Sequence, residues 1–169
     1  MIIFRLLLAV FMMTFALLAG AFVSHADHTI YLVRHAEKAE TSNPPLTMKG
    51  SIRAKALAEF LKDKNVTNVF STDYKRTLET AMPTAKQASV DVVLYDPREL
   101  NLMKGQLLLA RGVTLVVGHS NTTPRLFNLL TGLDHKDLEE HQYDRIYTVK
   151  MLAGNEISYG IQYLEPRTP

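Results

Sequence analysis

Two short apolar runs that each end abruptly at a histidine constrain this chain more than any other feature. Thr29-Ile30-Tyr31-Leu32-Val33 leads into Arg34-His35, and Val113-Thr114-Leu115-Val116-Val117-Gly118 leads into His119. Such runs are too short for a helix. Their β-branched and aliphatic residues, with no polar alternation, suit strands buried on both faces of a parallel sheet. In sheets of that kind the functional groups stand on the loops just past the strand ends. The pattern therefore predicts two imidazoles held at strand ends over a rigid sheet.

The rest of the chain fits an alternation of strands and helices. A polar loop with Asn43-Pro44-Pro45 follows the first strand, and Thr47 is an N-cap for a helix over 47–64 with an apolar stripe of Ile52, Ala56, Leu57, Phe60 and Leu61. Residues 68–71 read as a second strand, 74–88 as a helix bent or split by Pro83, and 90–95 as a third strand. A helix over 99–111 is expected to stop at Gly112, and Pro124 to open a further helix running to about 130. The charged segment 136–144 reads as a solvated loop, and 146–152 with 157–164 as a closing hairpin. The expected fold is α/β: a three-layer sandwich whose central sheet is mostly parallel, with helices on both faces and an antiparallel C-terminal edge.

Residues 1–26 stand apart. Arg5 precedes an apolar run from Leu6 to Val23, and Ser24-His25-Ala26 closes it with small residues where a signal peptidase reads. A cleaved secretory signal is expected, leaving 27–169 as a single domain exported to a compartment such as the bacterial periplasm. The alternative is an uncleaved anchor, since the run just reaches bilayer-spanning length. That would be the chain's one contact with a membrane. The 19 basic and 17 acidic residues are scattered, which leaves no nucleic-acid footprint, and with no cysteine there is neither a disulfide nor a lipid-modified cysteine.

Chemically, His35 and His119 together with Arg34 and Arg76 describe a site for a phosphate dianion, with one histidine free to attack it. Each residue alone has a plainer reading. An Arg-His pair at a strand end is often a surface hydrogen bond, Arg76 at a helix start is often paired to an acid such as Glu79, and His119 could cap the next helix. No metal ligand set stands out, because His135 and His141 lack helical i, i+4 spacing, and the chemistry needs no cofactor where arginines take the place of a cation.

Taken in order, the motifs resemble those of the histidine phosphatase (phosphoglycerate mutase-like) superfamily. Leu32-Val33-Arg34-His35-Ala36-Glu37 is similar to the R-H-G or R-H-A motif. Ser71-Thr72-Asp73-Tyr74-Lys75-Arg76-Thr77-Leu78-Glu79-Thr80-Ala81 resembles S-x-x-x-R-x-x-x-T-A, and Gly118-His119 the later G-H. Pro45-Leu46-Thr47 with Gly50 fits a P-L-T-x-x-G helix start. The resemblance implies His35 as nucleophile, forming a phosphohistidine, with Arg34, Arg76 and His119 binding the phosphoryl oxygens. It points to Glu99 as general acid, with Asp96 second, although the glycine- and tryptophan-containing segment that usually accompanies that acid is absent here. Asn121, opening the helix after His119, is a further candidate for the substrate. The implied activity is phosphomonoester or phosphoramidate hydrolysis on a small phosphorylated substrate or a phosphoprotein. A mutase and a protein that binds phospho-ligands without turnover are the alternatives. The short interval from 88 to 113 favours a phosphatase over a mutase.

Overall fold

The computed structural model describes residues 28–152 and 156–168, so the expected signal segment lies outside the described residues. Six strands form one sheet in the order β3-β2-β4-β1-β5-β6: β1 is His28–Arg34, β2 Val66–Ser71, β3 Val92–Leu94, β4 Gly112–Gly118, β5 Arg145–Met151 and β6 Ile157–Tyr163. The first four run parallel, while β5 pairs antiparallel with β1 and β6 with β5. This is the expected three-layer α/β fold with its antiparallel edge, although the turn residues 153–155 of the last hairpin are outside the described residues. Among the described residues no helix is long and apolar enough to cross a membrane.

The apolar strands build two cores at once because successive side chains point to opposite faces. Ile30, Leu32 and Val116 pack with Met103, Leu107, Leu126 and Phe127 on one face. Tyr31, Val33, Leu115 and Val117 pack with Leu57, Leu61, Ala81 and Ala85 on the other. The first face is covered by α3 (Leu100–Leu109) and α4 (Thr122–Thr131), and the second by α1 (Met48–Leu61) and α2 (Lys75–Ala88).

Several local expectations are corrected. Thr47 does cap α1, its hydroxyl accepting from Gly50 N at 3.1 Å, but the buried face is Gly50, Arg53, Ala54, Leu57, Ala58 and Leu61, and Ile52 is 55% exposed. The helix yields to a 3₁₀ turn at Lys62–Lys64. Pro83 does not split α2, which is helical throughout Lys75–Ala88. Helix α3 ends at Leu109 rather than 111, because Gly112, at φ +79°, is already the first residue of β4. Helix α4 starts at Thr122 with Asn121 as its cap, so Pro124 is its third residue rather than its first.

Candidate functional site

The topology brings the two histidines to one crevice. Strands β1 and β4 are parallel neighbours with Arg34 level with Gly118, so His35 and His119 follow at matching heights. The His35 N–H donates to Gly118 O at 2.9 Å, and the two rings lie 5.7 Å apart between centroids. Helix α2 carries Arg76 to the same place, and its Nη2 lies 3.3 Å from His119 Nδ1. A cavity of about 570 Å³ opens here, lined by Arg34, His35, Lys38, Arg76, Arg98, His119 and Glu140 among others.

The motif spacings have steric and hydrogen-bonding reasons. Thr80, one turn after Arg76, donates its hydroxyl to Arg76 O at 2.7 Å and accepts from Ala36 N at 3.0 Å. One threonine thus fixes both the arginine's helix and the loop after His35. A Cβ on Gly50 would collide with the carbonyl of Glu37, so only glycine lets α1 start against that loop. A Cβ on Gly118 would meet the hydroxyls of Thr122, Thr123 and Tyr95, each at 2.9 Å. Thr122 Oγ1 in turn accepts from His119 N at 2.9 Å, setting the backbone that carries the imidazole.

Protonation follows from the partners. His35 Nδ1 lies 2.8 Å from Ala36 O, and a carbonyl only accepts, so Nδ1 carries the proton and Nε2 keeps its lone pair. Burial, then the charges of Arg34 and Arg76, push its pKa down to about 3 against a weaker opposing effect of the Ala36 bond, so the ring is neutral near pH 7. For His119, the donor-only guanidinium of Arg76 faces Nδ1, so Nε2 bears the hydrogen and gives it to Thr72 Oγ1 at 3.0 Å. Burial and both arginines lower its pKa to about 4. Arg76 is lightly held: beyond His119 it stacks over Tyr74 at 4.6 Å, and its buried Nε has no partner among the described residues.

Arg34 is anchored differently. Its Nη1 donates to the carbonyls of Glu139 and Glu140 at 2.8 and 2.9 Å and to that of Gln142 at 3.3 Å, and its Nη2 to Glu140 Oε2 at 3.0 Å. The Tyr143 ring lies 4.1 Å from its guanidinium carbon. The segment expected as a solvated loop is therefore a support behind Arg34, tied down by buried Leu138, whose N–H donates to Ser120 O at 2.8 Å. The charged tips of Glu139 and Glu140 do face solvent, which is what made the segment read as a plain loop.

Not every candidate reaches the cavity. Glu99 caps the start of α3 through its backbone, with no side-chain cap bond, and is not among the lining residues. Asp96 is gripped by Arg98 at 2.6–3.1 Å, and those hydrogen bonds hold its carboxyl down at about 2, which suits no proton donor. Asn121 lines the cavity, but its Oδ1 accepts from Thr122 N at 2.9 Å as a helix cap. Among the described residues the one carboxylate lining the cavity is Glu140, which sequence reasoning missed. Nothing in its local sequence marks it, because only the tertiary fold carries residue 140 back to strand β1. Among the described residues no group of three or more His, Asp or Glu is placed to hold a metal ion.

Comparison with known proteins agrees with the motifs. Residues 30–103 match the family model of the histidine phosphatase superfamily (branch 1). The chain is 37% identical over 86 residues to the probable phosphoglycerate mutase GpmB of Enterobacter sp. (strain 638), covering 46% of this chain and 40% of that protein. Against the GpmB of Escherichia fergusonii it is 40% identical over 83 residues, covering 43% and 38% respectively. The chain thus spans about two fifths of the length of the curated relatives it matches. Its fold is similar to that of the protein histidine phosphatase SixA complexed with tungstate, with a TM-score of 0.68 at 16% identity over 80% of this chain and 96% of that one. A mycobacterial glucosyl-3-phosphoglycerate phosphatase gives a TM-score of 0.64 at 13% identity, over 82% and 98%. Sequence match and fold bear out the resemblance to the histidine phosphatase superfamily.

Proposed function

We propose that this chain is a phosphatase that hydrolyses phosphomonoesters or phosphoramidates through a phosphohistidine on His35, with arginines in place of a metal. The observation that carries this reading is the Nδ1–Ala36 bond, which leaves the neutral Nε2 of His35 with a lone pair beside a cluster of cations. The substrate's phosphorus takes that lone pair in line. Arg76, lightly held, turns its fork to the non-bridging oxygens, where the charge-assisted bonds strengthen as charge redistributes. Arg34 is preorganised by the loop behind it, and His119 redirects its Nε2–H from Thr72 Oγ1 to a phosphoryl oxygen.

Neighbours named for phosphohistidine and phosphoglycerate chemistry support a small phosphorylated substrate or a phosphoprotein side chain. The apolar run from Leu6 to Val23 supports work in an exported compartment. Phosphate release from an aryl phosphate in the presence of EDTA tests the proposal. Turnover is expected for the wild type and none for His35→Ala at unchanged circular dichroism; full activity in the variant would overturn it. Saturable vanadate binding without turnover would instead favour a phospho-ligand-binding protein.

A further inference from the structure

Hydrolysis of an unactivated ester needs a proton for the departing oxygen, and neither Glu99 nor Asp96 is placed to give one. Resting on the phosphatase reading, we propose that Glu140, on the loop behind Arg34, is the proton donor to the leaving group, and that the arriving phosphoryl dianion makes it take up that proton from solvent.

The placement comes first. The Glu140 carboxylate bridges Arg34 Nη2 at 3.0 Å and Lys38 Nζ at 3.3 Å, with the Tyr143 hydroxyl at 3.4 Å from Oε1. Its side chain is 71% exposed, at the rim where a leaving group projects out of the cavity. Arg34 Nη1 is taken up by three loop carbonyls and its unpartnered Nε is buried, so a phosphate oxygen in the cavity competes with Glu140 for Nη2. A phosphoryl dianion there displaces the carboxylate from its cation and sits beside it as a like charge. Of two anions sharing one site, one becomes protonated.

Burial pushes the Glu140 carboxyl up but the charges of Arg34 and Lys38 outweigh it, so the group rests ionised. Loss of Arg34 to the substrate removes the larger of those two charges. The backbone of the same loop remains bonded to Arg34 Nη1, so the displaced carboxyl stays close to the phosphoryl group.

The chemistry balances. The P–N bond to His35 Nε2 forms as the P–O bond to the leaving oxygen breaks, and Glu140 gives its proton to that oxygen, releasing an alcohol and a carboxylate. The carboxylate then takes a proton from water as the hydroxide oxygen attacks phosphorus and the P–N bond breaks. Inorganic phosphate leaves, His35 is restored, and Glu140 returns its proton to solvent as it regains Arg34 and rests ionised again.

A leaving-group series of aryl phosphates, assayed with wild type and Glu140→Gln, tests this. A strongly acidic phenol such as dinitrophenol departs without help, whereas unsubstituted phenol, ionising near pH ~10 as tyrosine does, needs a proton. Glu140→Gln is expected to lose ~10²–10⁴-fold in kcat on phenyl phosphate and little on dinitrophenyl phosphate. Binding of inorganic phosphate, followed by calorimetry in buffers of different ionisation enthalpy, is expected to take up fewer protons in the variant than in the wild type. Equal losses across the series would overturn the proposal, since a residue that only orients Arg34 affects every substrate alike. No loss on any substrate would overturn it as well. Wild type inactive across the whole series would overturn the phosphatase reading itself, an outcome distinct from failure of the variant pattern alone.

Discussion

The site's chemistry is decided at single atoms. A carbonyl 2.8 Å from His35 Nδ1 selects the tautomer with a free Nε2, and a guanidinium on His119 Nδ1 selects the opposite tautomer there, with the hydrogen on Nε2. Residue types at strand ends made Arg34, His35 and His119 legible from the sequence, and motif spacing did the same for Arg76. Their protonation states were not, because they depend on Ala36 O and Thr72 Oγ1, which any sequence would supply in some form. Arg76 is the residue whose fork is least engaged, so a lysine there keeps the charge and loses the bidentate geometry. Arg76→Lys is expected to lower kcat/KM by ~10²–10³-fold, in line with removal of a preorganised donor, with the thermal midpoint little changed. Activity within a few-fold of wild type would mean that charge alone suffices.

At the scale of elements, the strands were the most legible part of the chain. Apolar runs such as Leu115-Val116-Val117 can be satisfied only by burial on both faces. Helix ends were less so. Gly112 reads as a helix stop, yet its positive φ serves the entry to β4, close against Thr67. Pro83 reads as a break, yet α2 runs through it. Such choices are made by the neighbouring element, not by the residue itself. The join between α2 and the loop after His35 rests on Thr80, buried along with Ala36. Thr80→Val keeps the shape but leaves the Ala36 N–H without its acceptor, so chemical denaturation should register a loss of ~1–3 kcal/mol. Activity is expected to fall with it because that loop holds His35 Nδ1; an unchanged midpoint and rate would show that the hydroxyl is dispensable.

For the whole molecule, the histidines couple stability to pH. Burial lowers the pKa of His28, His35 and His119, most for His35 at about 3, then His119 at about 4. The folded chain thus keeps these rings neutral while the unfolded chain takes up protons below about 6.5. Their contribution is complete above that value and lost as pH falls toward the folded values. Between pH 6.5 and 5 carboxylates such as Glu37, gripped by Arg53 at 2.8–3.1 Å, stay ionised, so a decline there belongs to the histidines. The thermal midpoint should fall from pH 7 to pH 5, and a flat profile would contradict the burial of three neutral imidazoles. What the sequence withheld at this scale is the 136–144 loop. Its charges read as solvated, yet its backbone carbonyls gather Arg34 from residues more than a hundred positions away. Only the path of the whole chain reveals such a contact.

The central claim is that phosphorus becomes bonded to His35 during turnover. Its most direct test is rapid quenching of the reacting protein into alkaline denaturant, where a phosphoramidate survives, followed by intact and peptide mass spectrometry. The account predicts one added phosphoryl group per chain, located on His35 and absent from His35→Ala. Turnover with no phosphoryl adduct, or with the adduct on another residue, would contradict it.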